Sequence, residues 1–314
     1  MTIKHLFPAS KPTLNLDFAN AKELDPRIAF TRASTGTYVD SRGILQTAAT
    51  NEPRFDHDPV TGESLGLLVE EARTNYLSYS TTFAGFSLTG ATLTTNAGIA
   101  PDGTYTAALL TGTGVNNGYM AKNVSTSAPR TFSYYVKNIN AVSARTLNDN
   151  KDFVFATETF IGNPSNKYFE RLPNGWYRLI HFNYSSSTNV NFGIGYPSTD
   201  SILIWGPQLE EGPSPTSYIP TEASTVTRAA DVASLTNTNV YNTDSFTILN
   251  DPYGAAGGGS TLNIVGGGQT PVKRTTVYNQ DLSQSQINTL VKKDDEFWRW
   301  RILGSSFALP GFLT

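Results

Sequence analysis

The residues here best equipped for chemistry are carboxylates. Asp56 and Asp58 stand two apart in Asp56-His57-Asp58-Pro59-Val60-Thr61-Gly62-Glu63, and Glu70 and Glu71 are adjacent. A glycosidase needs two carboxyl groups converging across one sugar bond. Adjacent acids on a strand point to opposite faces, so Glu70 with Glu71 does not make such a pair. The spacing predicts instead that Asp56 and Glu70 pair with Arg54 and Arg73 and fix irregular loops. Asp56 and Asp58 could also offer oxygen ligands to a structural Ca²⁺. Their spacing departs from a regular calcium loop, and an ordinary Asp-Pro turn is the preferred reading. His5, His57 and His181 form no ligand-spaced cluster, which argues against zinc. The runs Gly254-Ala255-Ala256-Gly257-Gly258-Gly259 and Gly266-Gly267-Gly268 lack the Lys-Ser/Thr of a phosphate-binding loop, and there is no Gly-x-Ser-x-Gly elbow. They read as loops or linkers. No catalytic constellation and no cofactor are expected.

Sugar sites use exposed aromatic faces beside amide and carboxylate groups. The chain has 15 Tyr and 17 Phe. Trp176 and Trp205 sit mid-strand in apolar company and are expected in the core. Tyr119, Tyr168 and Tyr196 lie beside Gly, Asn or Pro and are the candidate glycan-binding residues.

These side chains must be positioned by strands. The 314 residues include 26 Gly and 17 Pro, and only 16% are charged. That balance suits a turn-rich β protein. Leu14, Leu16 and Phe18 alternate with polar residues, as in a strand with one buried face. Further strands are predicted at Thr131–Lys137, Gly175–Phe182, Asn191–Tyr196 and Ser201–Trp205. Turn signals at Pro101-Asp102-Gly103-Thr104 and Pro173-Asn174-Gly175 punctuate them. Strand spacing predicts an all-β fold, a two-sheet sandwich. The net charge of −3 offers no basic field for nucleic acid. With no cysteine, disulfides and thiolate metal sites are excluded. The first 18 residues lack the apolar core of a signal peptide, and no window reaches the roughly 20 apolar residues of a membrane span. No membrane insertion is expected.

Residues 30–78 carry the most specific pattern. Phe30-Thr31-Arg32-Ala33-Ser34, Thr37-Tyr38-Val39-Asp40, Arg54-Phe55-Asp56-His57-Asp58-Pro59, Gly66-Leu67-Leu68-Val69-Glu70 and Arg73-Thr74-Asn75 follow in order. This resembles the N-terminal signature of a family of bacteriophage structural proteins, in which such motifs precede a jelly-roll module. The segments APDGTYTA, FSYYVKN, LPNGWYRL and ILIWGPQLEEGPSPTSYIPTEASTVTRAAD resemble strands of carbohydrate-binding jelly rolls of the galactose-binding-like or concanavalin-like type. Thr31-Arg32-Ala33 recurs as Thr227-Arg228-Ala229, which suggests paired terminal strands closing one module.

The resemblance implies a non-enzymatic virion protein, assembled in the host cytoplasm. It would be a tail-associated or fibre-type component, a homotrimer that contacts other virion proteins and binds a host-surface glycan. A capsid-decorating head spike or cement protein is one alternative; a polysaccharide depolymerase is another, although no β-helical period is visible. The expected organisation is an arm at 1–12, signature plus jelly roll at 13–231, a shortened lectin-like remnant at 232–296, and an assembly tail at 297–314. A helix is predicted over Ser283–Leu290, with Ser283 as N-cap and Gln286 three residues on. In the tail, Phe297, Trp298, Trp300, Phe307 and Phe312 are the candidate interface residues.

Overall fold

Tyr, Phe, Val, Ile and Thr, which fit a pleated half-buried surface, recur along the chain in short runs broken by Gly, Pro, Asn and Asp. The computed structural model describes residues 13–114, 117–126, 129–146, 152–162, 164–184, 189–197, 199–236, 247–251, 261–264 and 271–278. It is an all-β, jelly-roll-like sandwich. The first strands are β1 (Leu14–Asp17) and β2 (Ile28–Thr31), joined through a one-turn helix, α1 (Phe18–Ala21). Asp17 caps that turn, its carboxylate accepting the Asn20 N–H at 3.2 Å. The signature region forms two hairpins and a short strand: β3 (Gly36–Val39) with β4 (Leu45–Ala48), β5 (Phe55–His57) with β6 (Ser64–Leu67), and β7 (Arg73–Asn75).

The sandwich proper follows. Its strands are β8 (Ser87–Thr89), β9 (Ala91–Gly98), β10 (Ala107–Gly112), β11 (Asn117–Asn123), β12 (Arg130–Asn138), β13 (Ser143–Thr146), β14 (Phe153–Val154), β15 (Thr159–Phe160), β16 (Lys167–Arg171), β17 (Trp176–Tyr184), β18 (Asn189–Pro197) and β19 (Ser201–Glu211). They form two six-stranded sheets, ordered β16-β17-β12-β19-β10-β9 and β15-β14-β13-β18-β11-β8. Period-two alternation builds the core between them. Phe132, Tyr134 and Val136 of β12 and Ile202 and Ile204 of β19 meet Phe192 and Ile194 of β18 and Met120 of β11. The Tyr134 and Phe192 rings lie 4.8 Å apart.

The first sheet has a second apolar layer on its outer face. Tyr135, Leu203, Trp205 and Trp176 point outward there and pack with Leu45 and Tyr218. Trp176 and Trp205 are core residues, as their strand context predicts. The cover is the hairpin β3–β4 and the segment after β19. Polar groups of the sheet hold that segment: Glu210 accepts the Thr216 N–H at 2.9 Å and Gln208 accepts the Ile219 N–H at 2.6 Å.

After β20 (Val226–Arg228), which pairs with β7, come β21 (Val232–Thr236), β22 (Thr247–Asp251), β23 (Thr261–Ile264) and β24 (Arg274–Tyr278). These strands pair with the start of the chain, in two three-stranded sheets ordered β1-β24-β22 and β2-β21-β23. Leu14, Leu16, Phe18, Ile28, Leu235, Leu262, Ile264 and Val277 fill the space between, with Leu67 and Val69 from the signature region. The physical reason is cover: each segment carries one apolar face, and neither buries it alone. The helix predicted at Ser283–Leu290 and the tail lie outside the described residues. No helix among the described residues is long and apolar enough to cross a membrane.

Candidate functional site

Three neighbouring strands put one residue each in line on the outer face of the first sheet. Tyr135 of β12 stands opposite Arg178 of β17, which stands opposite Glu170 of β16. Their strand neighbours Tyr134, Leu179 and Phe169 turn to the core, so alternation sends these three outward. The Arg178 guanidinium lies 5.6 Å from the Tyr135 ring centre and 3.8 Å from the Glu170 carboxylate. It also donates to Ser133 Oγ at 3.0 Å and to the Thr216 carbonyl at 2.8 Å. This row floors a cleft of about 610 Å³. The signature hairpins roof it with Val39, Leu45, Asp56, His57 and Leu68, and Ser217 and Tyr218 close one end.

Asp56 hangs from the roof. Its carboxylate accepts the Val39 N–H at 2.7 Å, and His57 Nδ1 meets the Val39 carbonyl at 3.1 Å. Burial pushes Asp56 up to about 7, assisted by the charge of Glu70 and opposed by the Val39 hydrogen bond and Arg54. Burial also raises Glu170, against the pull of Arg178, and lifts the Tyr135 hydroxyl to about 12. The cleft thus offers a carboxyl that can either donate or accept a hydrogen bond near neutral pH, a carboxylate–guanidinium pair, and aromatic faces. Such groups can hydrogen-bond hydroxyls and stack on apolar faces.

The raised Asp56 has a consequence for stability. A carboxyl whose folded value lies above its unfolded value near 3.9 contributes most below that value. The contribution falls as pH rises toward 7 and stays lost above it. Asp56→Asn keeps the acceptor for Val39 without the charge. Relative to wild type, the variant should gain about 2–4 kcal/mol on going from pH 4 to pH 8. Urea unfolding at both pH values reads this directly; an equal difference at the two would show that Asp56 titrates normally.

Behind the cleft lies a buried ion cluster. Glu70 pairs with Arg54 at 2.9 Å and Arg228 at 3.4 Å. It also accepts from the Ser217 N–H at 2.8 Å and the Ser217 hydroxyl at 2.6 Å. Asp231 takes Arg32 at 3.0 Å and Arg54 in a shorter contact. The expected loop pairing therefore holds for Glu70 with Arg54, whereas Arg73 pairs with Glu71, and Asp56 accepts a backbone N–H rather than a guanidinium. The repeated Thr-Arg-Ala segments do not pair with each other. Thr31 stands opposite Val232, and Arg228 stands opposite Arg73. What they share is chemistry, since Arg32 and Arg228 both approach Asp231.

The remaining candidates fall elsewhere. Asp58 closes its own turn, accepting the Val60 and Thr61 N–H groups at 2.9 and 2.7 Å. Among the described residues no three His, Cys, Asp or Glu side chains gather as a metal site. Tyr168 is exposed on β16, two residues before Glu170, with its ring edge-on to Phe182. Tyr119 lies on β11 of the other sheet, beneath the Arg145 guanidinium at 5.5 Å. Tyr196 belongs to β18; its side chain is outside the described residues, as are Phe297, Trp298, Trp300, Phe307 and Phe312. The three tyrosines thus belong to strands of two different sheets. Sequence reasoning missed Tyr135, Glu170 and Arg178. The available signal was a charged residue in the middle of the apolar run Trp176-Tyr177-Arg178-Leu179-Ile180.

No family model matches the chain, and no curated protein matches it.

Proposed function

We propose that this chain is a non-enzymatic structural protein of a bacteriophage particle, a tail-associated or fibre-type component that presents a carbohydrate-binding module to the host surface. The ordered motifs of residues 30–78 supply the virion part of this reading. The cleft carries the binding part: signature hairpins and sandwich face enclose it together, and it is lined with the hydrogen-bonding groups and aromatic faces that sugars require. Asp56 and Glu170 act as ligand-orienting groups, each already engaged, by the Val39 N–H and by Arg178. The aromatic tail with Phe297, Trp298 and Trp300 is the contact with other virion proteins, and a homotrimer gives weak sugar sites avidity.

A glycan array followed by titration of the best neutral oligosaccharide tests the reading. Glu170→Gln keeps size and removes charge. It should fold normally and weaken binding about 10- to 100-fold, the effect of one hydrogen bond to a charged group. No neutral glycan bound at all, or affinity unchanged by Glu170→Gln, would refute the cleft as the site. Release of reducing ends from host polysaccharide would favour a depolymerase instead. Placement of the chain on the capsid shell by whole-particle imaging would favour a head-decorating role.

A further inference from the structure

The second sheet holds an arginine with no counter-ion among the described residues. Val190, Phe192 and Ile194 of β18 face the core, so Asn191 faces outward. On the same grounds Met120 and Ala144 send Tyr119 and Arg145 outward. Tyr119 and Arg145 both stand opposite Gly193, one from each side, and Asn191 lies two residues before it, about 7 Å along the strand. Arg145 is only 4% exposed, its Nε–H has no hydrogen-bond partner, and no carboxylate among the described residues pairs with it. Asp152 is itself engaged and lies over Gly195, where an added Cβ would meet its Oδ2 at 2.3 Å. Asn191 is buried too, and its Oδ1 accepts nothing, while its amide nitrogen donates to Asn189 at 3.3 Å.

A buried guanidinium is costly to leave unpaired, and its planar fork matches a carboxylate. The Tyr119 ring holds it from one side. The Asn191 oxygen calls for a donor, such as a hydroxyl. We infer that Tyr119, Arg145 and Asn191 form a second site, separate from the cleft, for a sugar bearing a carboxylate, as in a uronic acid. Such a sugar sets its carboxylate on Arg145 and a hydroxyl on Asn191. The inference rests on the carbohydrate-binding reading but not on the cleft, and it gives Tyr119 a ligand class of its own.

Calorimetric titration of the full chain with D-glucuronate, D-glucuronamide and acetate tests it. Glucuronate should bind at least tenfold more tightly than its neutral amide and than acetate. Arg145→Lys keeps the charge but loses the fork, and Asn191→Asp sets a second negative charge against the ligand; each should weaken glucuronate tenfold or more. Glu170→Gln should leave it unchanged, which separates this site from the cleft. Equal binding of glucuronate and glucuronamide would overturn the inference. So would acetate binding as tightly as glucuronate, which would reveal a bare anion hole. Loss of glucuronate through Glu170→Gln would assign the ligand to the cleft.

Discussion

Asp231→Ala should cost about 3–5 kcal/mol of folding stability, the range for removing one partner of a buried ion pair. The Asp231 side chain is fully buried. Its carboxylate accepts from Arg32 at 3.0 Å, from Arg54 and from the Glu70 N–H at 2.9 Å, and lies 3.8 Å from Arg228. Removing it leaves Arg54 and Arg228 to share Glu70 and leaves Arg32 with the Ser34 and Ala49 carbonyls in place of a carboxylate. The loss is topological as well, because the cluster joins the end of β2, the roof of the cleft and the segment after β20. Asp25→Ala serves as the control. It breaks a pair with Arg27 that is largely in water, and should cost less than about 1 kcal/mol. Urea unfolding of the two variants beside wild type decides the matter; similar losses would mean that the buried cluster carries no special weight. Glu70 adds a pH signature. Burial works to raise it, but Arg228 and Arg54 overcome that and hold it below its ordinary value. Its contribution is therefore present above about pH 4.5 and lost as pH falls below that.

Local chemistry was legible in the sequence, and pairing was not. The Pro101–Thr104 turn forms as its composition dictates: Asp102 accepts the Thr104 N–H at 2.9 Å and Gly103 takes φ +81°. Alternation placed Trp205 and Trp176 in apolar layers, and strand density called for a sandwich. The cleft, by contrast, exists only because β12, β17 and β16 align Tyr135, Arg178 and Glu170. A shift of one residue in either register would turn the aligned side chain to the other face, and nothing local to those strands states the register. The Thr-Arg-Ala echo shows the same limit. Its repetition invited a pairing of strands, but the arginines are needed as charges that meet at a distant aspartate. In the C-terminal stretch, glycine runs and thin alternation suggested a remnant. Leu14-Asn15-Leu16-Asp17 alternates in a way that any sheet edge could accept, so its partner more than 250 residues away had no local signature.

That partner makes truncation the second large effect. A chain ending at Asp231, where a division into signature-plus-jelly-roll and remnant falls, should fail to form a soluble native protein, whereas one ending at 278 should fold. Among the described strands, β1 pairs only with β24, and β2 only with β21. Cutting at Asp231 removes both partners and bares Leu14, Leu16, Phe18, Ile28, Leu67 and Val69. Burial of each such side chain stabilises by about 1.5–3 kcal/mol, so the six together contribute about 9–18 kcal/mol, as much as the roughly 5–15 kcal/mol by which a domain is usually stable. The damage reaches the cleft. Leu67 and Val272 exchange two backbone hydrogen bonds, at 3.0 and 2.8 Å. Gly66 packs so closely there that a Cβ would lie 2.3 Å from the Val272 carbonyl, at a φ of +95° that already demands glycine. Without β24 and the segment before it, the β5–β6 hairpin that carries Asp56 loses its backing. Solubility, dye binding to exposed apolar surface and thermal melting of the 1–231 and 1–278 chains distinguish the cases. A soluble 1–231 chain that melts with the wild type would show that β1 and β2 need no cover, and that residues 13–231 stand as a unit by themselves.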